Sequence, residues 1–468
     1  MKIVMKFGGT SVGTGDNIRH VADLVTEYAR KDCRVVVVVS AMAGVTNSLI
    51  EVACQAKKSN PRHIEAFTKN LLQKHLAAIS TAISSKLIQK ELCQITKETV
   101  SELEKVLIGI CYVGELTPKS KDYVTSFGER LSVPIVWGAL RDHKAETQCF
   151  TGKDAGIVTD SNFGEAEPLM NFTTHLIRER LGPIVEKGVI PVVTGFIAAD
   201  QNGIVTTVGR GGSDYTATIL GVALSVDEVW IWTDVDGIMT ADPRIIPSAR
   251  MLSELSYQEA AEMAIFGAKA MHPRALEPVI ESKIPVRIRS TMHPENAGTL
   301  ITDAETAKST AAVKAVALIK DVAMVNVNGA GMVGAPGSYA KVFDVLGKHK
   351  INIMMISTAV SEANISMVIR RNLVGRALST LEIALLGRGV VNEVTAEDDI
   401  AVVAVMGANM KGTRGIASRI FATVANAGIN IRMIAQGSSE LNISFVVKEK
   451  DGPAVVKAIH EEFKLADI

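Results

Sequence analysis

Short apolar runs that close on glycine or a hydroxyl, separated by amphipathic stretches, dominate the chain up to about residue 303. Ile3-Val4-Met5 carries a lone Lys6 into Gly8-Gly9-Thr10-Ser11, and helical periodicity follows from about Asn17, over Ile18–Ala29. Val35 to Val39 is an unbroken run of valines that ends on Ser40. An uninterrupted β-branched run predicts a strand buried on both faces, and hence a parallel sheet with helices on either side. Together these segments predict a βαβ unit. Val189–Phe196, Ile204–Val208, Val229–Trp232 and Ile284–Ile288 predict further strands. Residues 48 to about 112, rich in Lys, Glu, Gln, Leu and Ala, predict a helical insertion that covers one side in the manner of a lid. Tyr123–Leu131, YVTSFGERL, leads into a helix with Pro134 near its start.

The polar stretch TDAETAKST at about residue 303 reads as a linker, and an internal repeat follows it. Gly329, Gly334, Phe343, Ile351-Asn352-Ile353 and Asn364-Ile365-Ser366 recur 78 residues later as Gly407, Gly412, Phe421, Ile429-Asn430-Ile431 and Asn442-Ile443-Ser444. Each copy predicts strand, glycine loop, helix, strand, turn, strand. Tandem copies of so small a unit pack on each other or on a partner. Gly329–Gly334, GAGMVG, matches a dinucleotide-binding pattern, but no acidic residue ends the next strand and the second copy carries Asn409 at the middle glycine. The dinucleotide reading is rejected.

Composition narrows the class. A chain of 468 residues, 47% hydrophobic and 21% charged, fits two to four globular domains rather than a disordered protein. Lys+Arg and Asp+Glu each total 50, so bulk charge points to neither nucleic acid nor an anionic membrane. The first residues hold too short an apolar run for a signal peptide, and no stretch is long enough for a membrane span. Five cysteines without C-x-x-C spacing suit reduced thiols in the cytoplasm rather than disulfides or a zinc site.

The candidate chemistry gathers at predicted strand ends, which is where open α/β sheets bind ligands. Lys6 with Gly8-Gly9 offers a cation and close backbone approach to an anion; a solvated lysine beside a glycine turn is the plain alternative. Gly209-Arg210-Gly211-Gly212-Ser213-Asp214 packs an arginine fork, a hydroxyl and a carboxylate into one junction. Taken singly, Asp214 also reads as an N-cap and Arg210 as a surface ion pair. Glu129 reads as a solvated acid, and Lys269 equally as solvated. Thr233-Asp234-Val235-Asp236-Gly237 and Asp242-Pro243-Arg244 form a turn-rich loop after another strand.

KFGGTS, VSAM with GVTN, SFGERL, TGF, GRGGSDYTA, WTDVDGI, DPR and FGAK with HPR occur in this order. With the paired C-terminal repeats they closely resemble the aspartate kinase group of the amino-acid kinase family, in its monofunctional form. The resemblance implies an α/β three-layer sandwich with a mostly parallel central sheet over residues 1–303. A regulatory region, 304–468, would hold two ferredoxin-like βαββαβ ACT domains, one of about 321–392 inserted in another made from about 311–320 and 393–468. It further implies transfer of the γ-phosphoryl group of ATP, as its Mg2+ complex, to the β-carboxylate of L-aspartate. This would be the first step towards lysine, threonine and methionine. A carboxylate nucleophile is already ionised, so catalysis reduces to aligning two anions and neutralising charge on the transferring group.

Residue by residue, the resemblance gives Lys6, Lys269 and Asp214 to the transferring phosphoryl group, with Asp214 orienting the lysines. Gly8 and Gly9 would donate N–H bonds to the phosphates. Aspartate would meet Arg210 at its α-carboxylate, Glu129 at its ammonium, and the hydroxyls of Ser40, Thr46 and Ser213. Thr10, Ser11, Thr233, Asp234, Asp242 and Arg244 would line the nucleotide, with Met239 where related chains carry Tyr. Asn352, Ile353, Asn430, Ile431 and Gln436 are the expected effector contacts, threonine or lysine being the expected effector. A homodimer or higher homo-oligomer through the ACT domains is expected, with no dedicated metal site. Two competing readings remain: a family member acting on glutamate, N-acetylglutamate or a nucleotide, and a catalytically silent amino-acid sensor.

Overall fold

The computed structural model describes residues 1–58, 61–266, 271–304, 311–329, 337–358, 364–386 and 391–467. The chain divides into two compact units. The first comprises Met1–Ile238, Ser253–Tyr257 and Lys269–Lys308; the second comprises Met239–Leu252, Gln258–Ala268 and Ser309–Ile468.

In the first unit β1 (Lys2–Phe7), α1 (Gly15–Arg30) and β2 (Arg34–Val39) form the expected βαβ unit. Thr14 caps α1, its hydroxyl accepting from the Asn17 N–H. Then come α2 (Val45–Ala56), α3 (Pro61–Ala82), α4 (Lys86–Val113) and α5 (Pro118–Asp142). β3 (Thr147–Phe150), α6 (Gly152–Ala155), β4 (Val158–Thr159), α7 (Met170–Glu186), β5 (Ile190–Thr194), β6 (Ile197–Asp200) and β7 (Val205–Thr207) follow. The unit continues with α8 (Gly212–Leu224), β8 (Glu228–Thr233) and β9 (Glu254–Ser256). The helix α9 (Tyr257–Ile265) begins in this unit and runs into the second; α10 (Glu277–Ser282), β10 (Val286–Ser290) and β11 (Thr299–Thr302) complete the first. Among the described residues the main sheet has the order β3-β5-β2-β1-β8-β10-β11-β9, parallel except at β10/β11. A small sheet, β4-β6-β7, stands beside it.

Two sequence expectations change here. The expected helical insertion after β2 is present and covers one side, but as part of the core rather than as a lid. Leu49, Ile64, Leu71, Leu92, Leu103 and Leu107 are buried in the same core as Ile3, Met5, Phe7 and the valines of β2. Their apolar stripes had to find a partner, and the nearest unpaired apolar surface was the sheet layer carrying α1 and α5. The second change is in α5, which holds all of YVTSFGERL and has Pro134 well inside it rather than near its start. Gly128 is tolerated in the helix because a Cβ there would sit 2.8 Å from the Ala41 Cβ. Its absence lets α5 lie directly against the turn after β2.

In the second unit β12 (Ala315–Asn328), α11 (Ser338–Lys348), β13 (Ile353–Thr358), β14 (Asn364–Arg370) and α12 (Val374–Leu385) make the first repeat copy. β15 (Glu393–Met406), α13 (Ile416–Asn426), β16 (Met433–Gln436), β17 (Asn442–Lys448) and α14 (Gly452–Glu462) make the second. Both ends of α11 and of β14 recur 78 residues on, in α13 and β17. β12 and β15 are long enough to serve both copies, so they fuse into one antiparallel sheet, β13-β14-β12-β15-β17-β16. A register shift near Ile319 and Val322, with Asp321 at φ +59°, marks the seam.

Candidate active site

β1 alternates strictly. Ile3, Met5 and Phe7 enter the core beside α1, whereas Val4 and Lys6 face the layer that carries α8. Lys6 is thus held under a helix N-terminus, and its Nζ lies 2.5 Å from Asp214 Oδ1 on the first turn of α8, both side chains buried. Asp214 is not the cap of that helix. Gly211 takes the cap position at φ +69°, a conformation that suits glycine, and a Cβ there would meet His272 at 2.2 Å. His272 and Arg274 brace this junction from behind, Arg274 donating to the Val208 carbonyl at 3.2 Å and stacking on Tyr215. Burial, reinforced by the neighbouring Arg274 and Arg210 charges, pushes the His272 imidazole down, while Asp214 opposes them.

A cavity of about 980 Å3 opens in front of this pair. Lys6, Gly9, Ser40, Thr46, Glu129, Arg210, Ser213 and Asp214, all expected site residues, line it. Glu129, expected to be solvated if it had no role, is 3% exposed. Its Oε1 accepts from the Ala41 N–H at 3.1 Å, and its Oε2 is buried with no hydrogen-bond partner among the described residues. Burial pushes this carboxyl from its ordinary 4.5 up to about 8, the Ala41 N–H pulling weakly the other way. Arg210 is exposed on the same cavity wall.

Other expected contacts fall elsewhere. The Gly8 N–H, expected to meet a phosphate, is paired with the Trp232 carbonyl at 3.3 Å and extends the β1–β8 ladder. The Ser11 hydroxyl is buried against Thr291 Oγ1 at 2.7 Å. Thr10 is exposed, its carbonyl taken by Asn17 Nδ2 at 2.9 Å. The Thr233 hydroxyl donates to Asp234 at 3.1 Å. Met239, Asp242 and Arg244 belong to the second unit, where Arg244 and Asp242 pair with each other at 2.6 Å and Met239 bridges to Met251. Lys269 lies outside the described residues.

Several cavity residues escaped the sequence reading, among them Phe196, Asp122 and Thr207. Phe196 adopts φ +67°, a strained value for an aromatic residue, and is held there by Thr216 Oγ1 on its N–H and the Val208 N–H on its carbonyl. Asp122 and Thr207, bonded to each other, also line the wall. The seven-residue interval from Asp122 to Glu129, two turns of one helix face, was the available signal.

The second unit has its own cavity of about 260 Å3, lined by Met410, Gly415, Ser418, Gln436 and Glu440 among others. Of the five expected effector residues only Gln436 lines it. Asn352 and Asn430 are exposed, and Ile353 and Ile431 pack against the two apolar cores of the repeat copies.

The amino acid kinase family profile matches residues 1–290, and an ACT domain profile matches residues 325–385 and 403–463. Aspartokinase 1, chloroplastic, of Arabidopsis thaliana is 33% identical over 475 residues, 98% of this chain and 80% of that protein. The bifunctional aspartokinase/homoserine dehydrogenase 1, chloroplastic, of Zea mays is 33% identical across 99% of this chain and 50% of its own length. The chain therefore spans about half the length of the bifunctional plant relatives. The crystal structure of E. coli aspartokinase III in complex with aspartate and ADP superposes with a TM-score of 0.81 at 30% identity, covering 99% of both chains. A chain with this cavity, this sheet and these matches belongs to the aspartokinases, within the amino acid kinase family, and carries ACT domains.

Proposed function

We propose that this chain transfers the γ-phosphoryl group of ATP to the β-carboxylate of L-aspartate, yielding 4-phospho-L-aspartate. The observation that carries the substrate assignment is Glu129, a buried carboxylate with one oxygen unanswered among the described residues, on a cavity wall shared with Arg210. A buried acid of this kind wants a cation, and the α-ammonium of an amino acid supplies one. Arg210 forks onto the α-carboxylate. The β-carboxylate then points towards Lys6, where it attacks the γ-phosphorus while the bond to the β,γ-bridging oxygen breaks and ADP leaves. Lys6, oriented by Asp214, offsets the charge spread over the transferring group, with Lys269 as a second cation. N-acetylation would remove the ammonium and leave Glu129 buried and unpaired, which disfavours N-acetylated acceptors.

Among the described residues no cluster of three His, Cys, Asp or Glu side chains is arranged to hold a metal ion. Mg2+ would enter as part of the Mg-ATP substrate and add charge neutralisation at the transferring phosphoryl group. The Gly9 backbone, Thr233 and Asp234 are our candidates for contact with the nucleotide.

The ACT copies serve regulation in this reading, with lysine or threonine as the effector. The Gln436 cavity is of amino-acid size, and E. coli aspartokinase III has been solved with lysine and aspartate in its T-state. Ile356 and Ile434 stand exposed on the two edge strands β13 and β16, which favours assembly of copies through the ACT sheet. The free thiols fit a cytoplasmic location, and among the described residues no helix is long and apolar enough to cross a membrane.

The test is acyl-phosphate formation, trapped as the hydroxamate, with Mg-ATP and L-aspartate, L-glutamate or N-acetylglutamate in parallel. Product with aspartate alone is expected. Product with a different acceptor would overturn the roles of Glu129 and Arg210, and none with any acceptor would favour the sensor. Activity unchanged by millimolar lysine and threonine together would end the effector assignment.

A further inference from the structure

The helix α5 carries a polar stripe on one buried face. Asp122, Thr125, Glu129 and Ser132 fall at the i, i+3, i+7, i+10 spacing of a single helical ridge. The two ends of that stripe hold different walls of the cavity. At one end Ser132 Oγ donates to the Ser40 carbonyl at 2.8 Å, and Glu129 accepts from the Ala41 N–H. At the other end Asp122 Oδ2 accepts from the Gly164 N–H at 2.9 Å and from the Thr207 N–H at 3.0 Å. Asp122 Oδ1 accepts from the Thr207 hydroxyl at 2.9 Å. Thr207 ends β7 and stands three residues before Arg210.

Asp122 is 2% exposed, and its three hydrogen bonds among the described residues come from uncharged donors. Burying a carboxylate on neutral donors is an expensive way to tie a loop, and burial raises its pKa above the ordinary carboxylate value despite those three bonds. A carboxylate accepts at both oxygens and so grips all three donors at once. An amide can answer the two N–H groups only by turning its own N–H2 towards the hydroxyl, and it accepts more weakly. The device joins Arg210 and Glu129, seven positions along the same helix, to a common rigid rod.

We propose that Asp122 is a positioning residue for amino-acid recognition: by clamping Thr207 to α5 it sets the span between Arg210 and Glu129, and with it the fit to an α-carboxylate and an α-ammonium on the same carbon. The inference rests on the aspartate-kinase reading and deepens it. A tie that mattered only for folding would weaken every ligand and the fold together. A span-setting tie weakens the amino acid selectively.

The experiment first establishes turnover of the unaltered chain with L-aspartate and Mg-ATP. It then compares Asp122→Asn, Thr207→Val and Thr207→Ser for both KM values, kcat and thermal midpoint. Asp122→Asn should raise the KM for aspartate about tenfold and leave the KM for ATP within about twofold, because one grip is lost and the other two are weakened. Thr207→Val, which keeps the backbone N–H and loses the hydroxyl, should raise it by a smaller factor. Thr207→Ser should restore the unaltered value. Equal rises in both KM values with a lowered midpoint, or unchanged kinetics in folded variants, would overturn the proposal. If Asp122→Asn does not fold, the Thr207 pair decides. An unaltered chain that turns over ATP without aspartate dependence would retire the aspartate-kinase reading and this inference with it, an outcome distinct from a selective failure of the variants.

Discussion

Glu129 in the first unit and Glu259 in the second are both almost fully buried, at 3% and 1% exposure, yet their surroundings differ in kind. Glu259, on α9, receives Lys314 Nζ at 2.9 Å on one oxygen and the Ala408 N–H at 2.8 Å on the other. Glu129 receives one backbone N–H on one oxygen and, among the described residues, no hydrogen bond on the other, and burial raises its pKa to about 8. A buried acid whose partners come from the chain itself belongs to the architecture. One left half-answered on a cavity wall is, in the proposed function, the place for a ligand's charge. Lys6 and Asp214 sit between these cases, paired with each other but on the cavity wall.

The largest effect expected from breaking this contrast is on the closed pair. Lys314→Met leaves the Glu259 carboxylate buried without its Lys314 cation, and should cost about 3–5 kcal/mol of stability by urea unfolding. The double variant with Glu259→Leu should regain much of that loss. A Lys314→Met protein as stable as the unaltered chain would dissolve the distinction drawn here. Next comes Lys6→Ala, for which turnover should fall on the order of 100- to 1,000-fold in hydroxamate assays. Full turnover would remove Lys6 from the chemistry. Glu129→Gln should raise the KM for aspartate at least about thirtyfold while leaving thermal stability equal or higher, since it removes a buried acid with no cationic partner among the described residues. A loss of stability as large as that at Lys314 would place Glu129 in the architecture after all.

The smallest effect is one of pH. In the empty site the Glu129 carboxyl is pushed up to about 8, so near neutrality most molecules hold it protonated, whereas an ammonium ligand needs it ionised. Affinity for aspartate should therefore fall about fivefold from pH 8 to pH 7 and level off above pH 8. The native state without ligand keeps a proton that the unfolded chain has released. Its contribution to stability therefore declines as pH rises from about 4.5 to 8, the opposite sign to its effect on binding. Glu129→Gln should flatten both slopes.

Position along the sheet was legible in the sequence wherever it depended on local pattern. Five valines in a row and a lysine at a strand end were enough to place Lys6 and Ser40 at the same cavity. The 78-residue repeat carried the helix and strand boundaries of both ACT copies for the same reason: identical short-range patterns fold into identical elements. What depended on distant partners was not legible. Asp122 meets Gly164 and Thr207, 42 and 85 residues away, and no local feature announces either bond. The interior Gly128 and Pro134 hid the true length of α5, because the close approach to Ala41 that calls for a glycine exists only in the assembled layers. Fusion of the two repeats through β12 and β15 rests on long-range register, which the repeat itself does not encode and only the family resemblance suggested.

The most direct test of the claim that Glu129 awaits a ligand's ammonium is calorimetric titration of L-aspartate at pH 7, run in two buffers of different ionisation enthalpy. Release of roughly one proton per aspartate bound, abolished in Glu129→Gln, is expected from a carboxyl held near 8 that ionises on meeting the ligand. Binding with no proton released, or the same release in the variant, would contradict it.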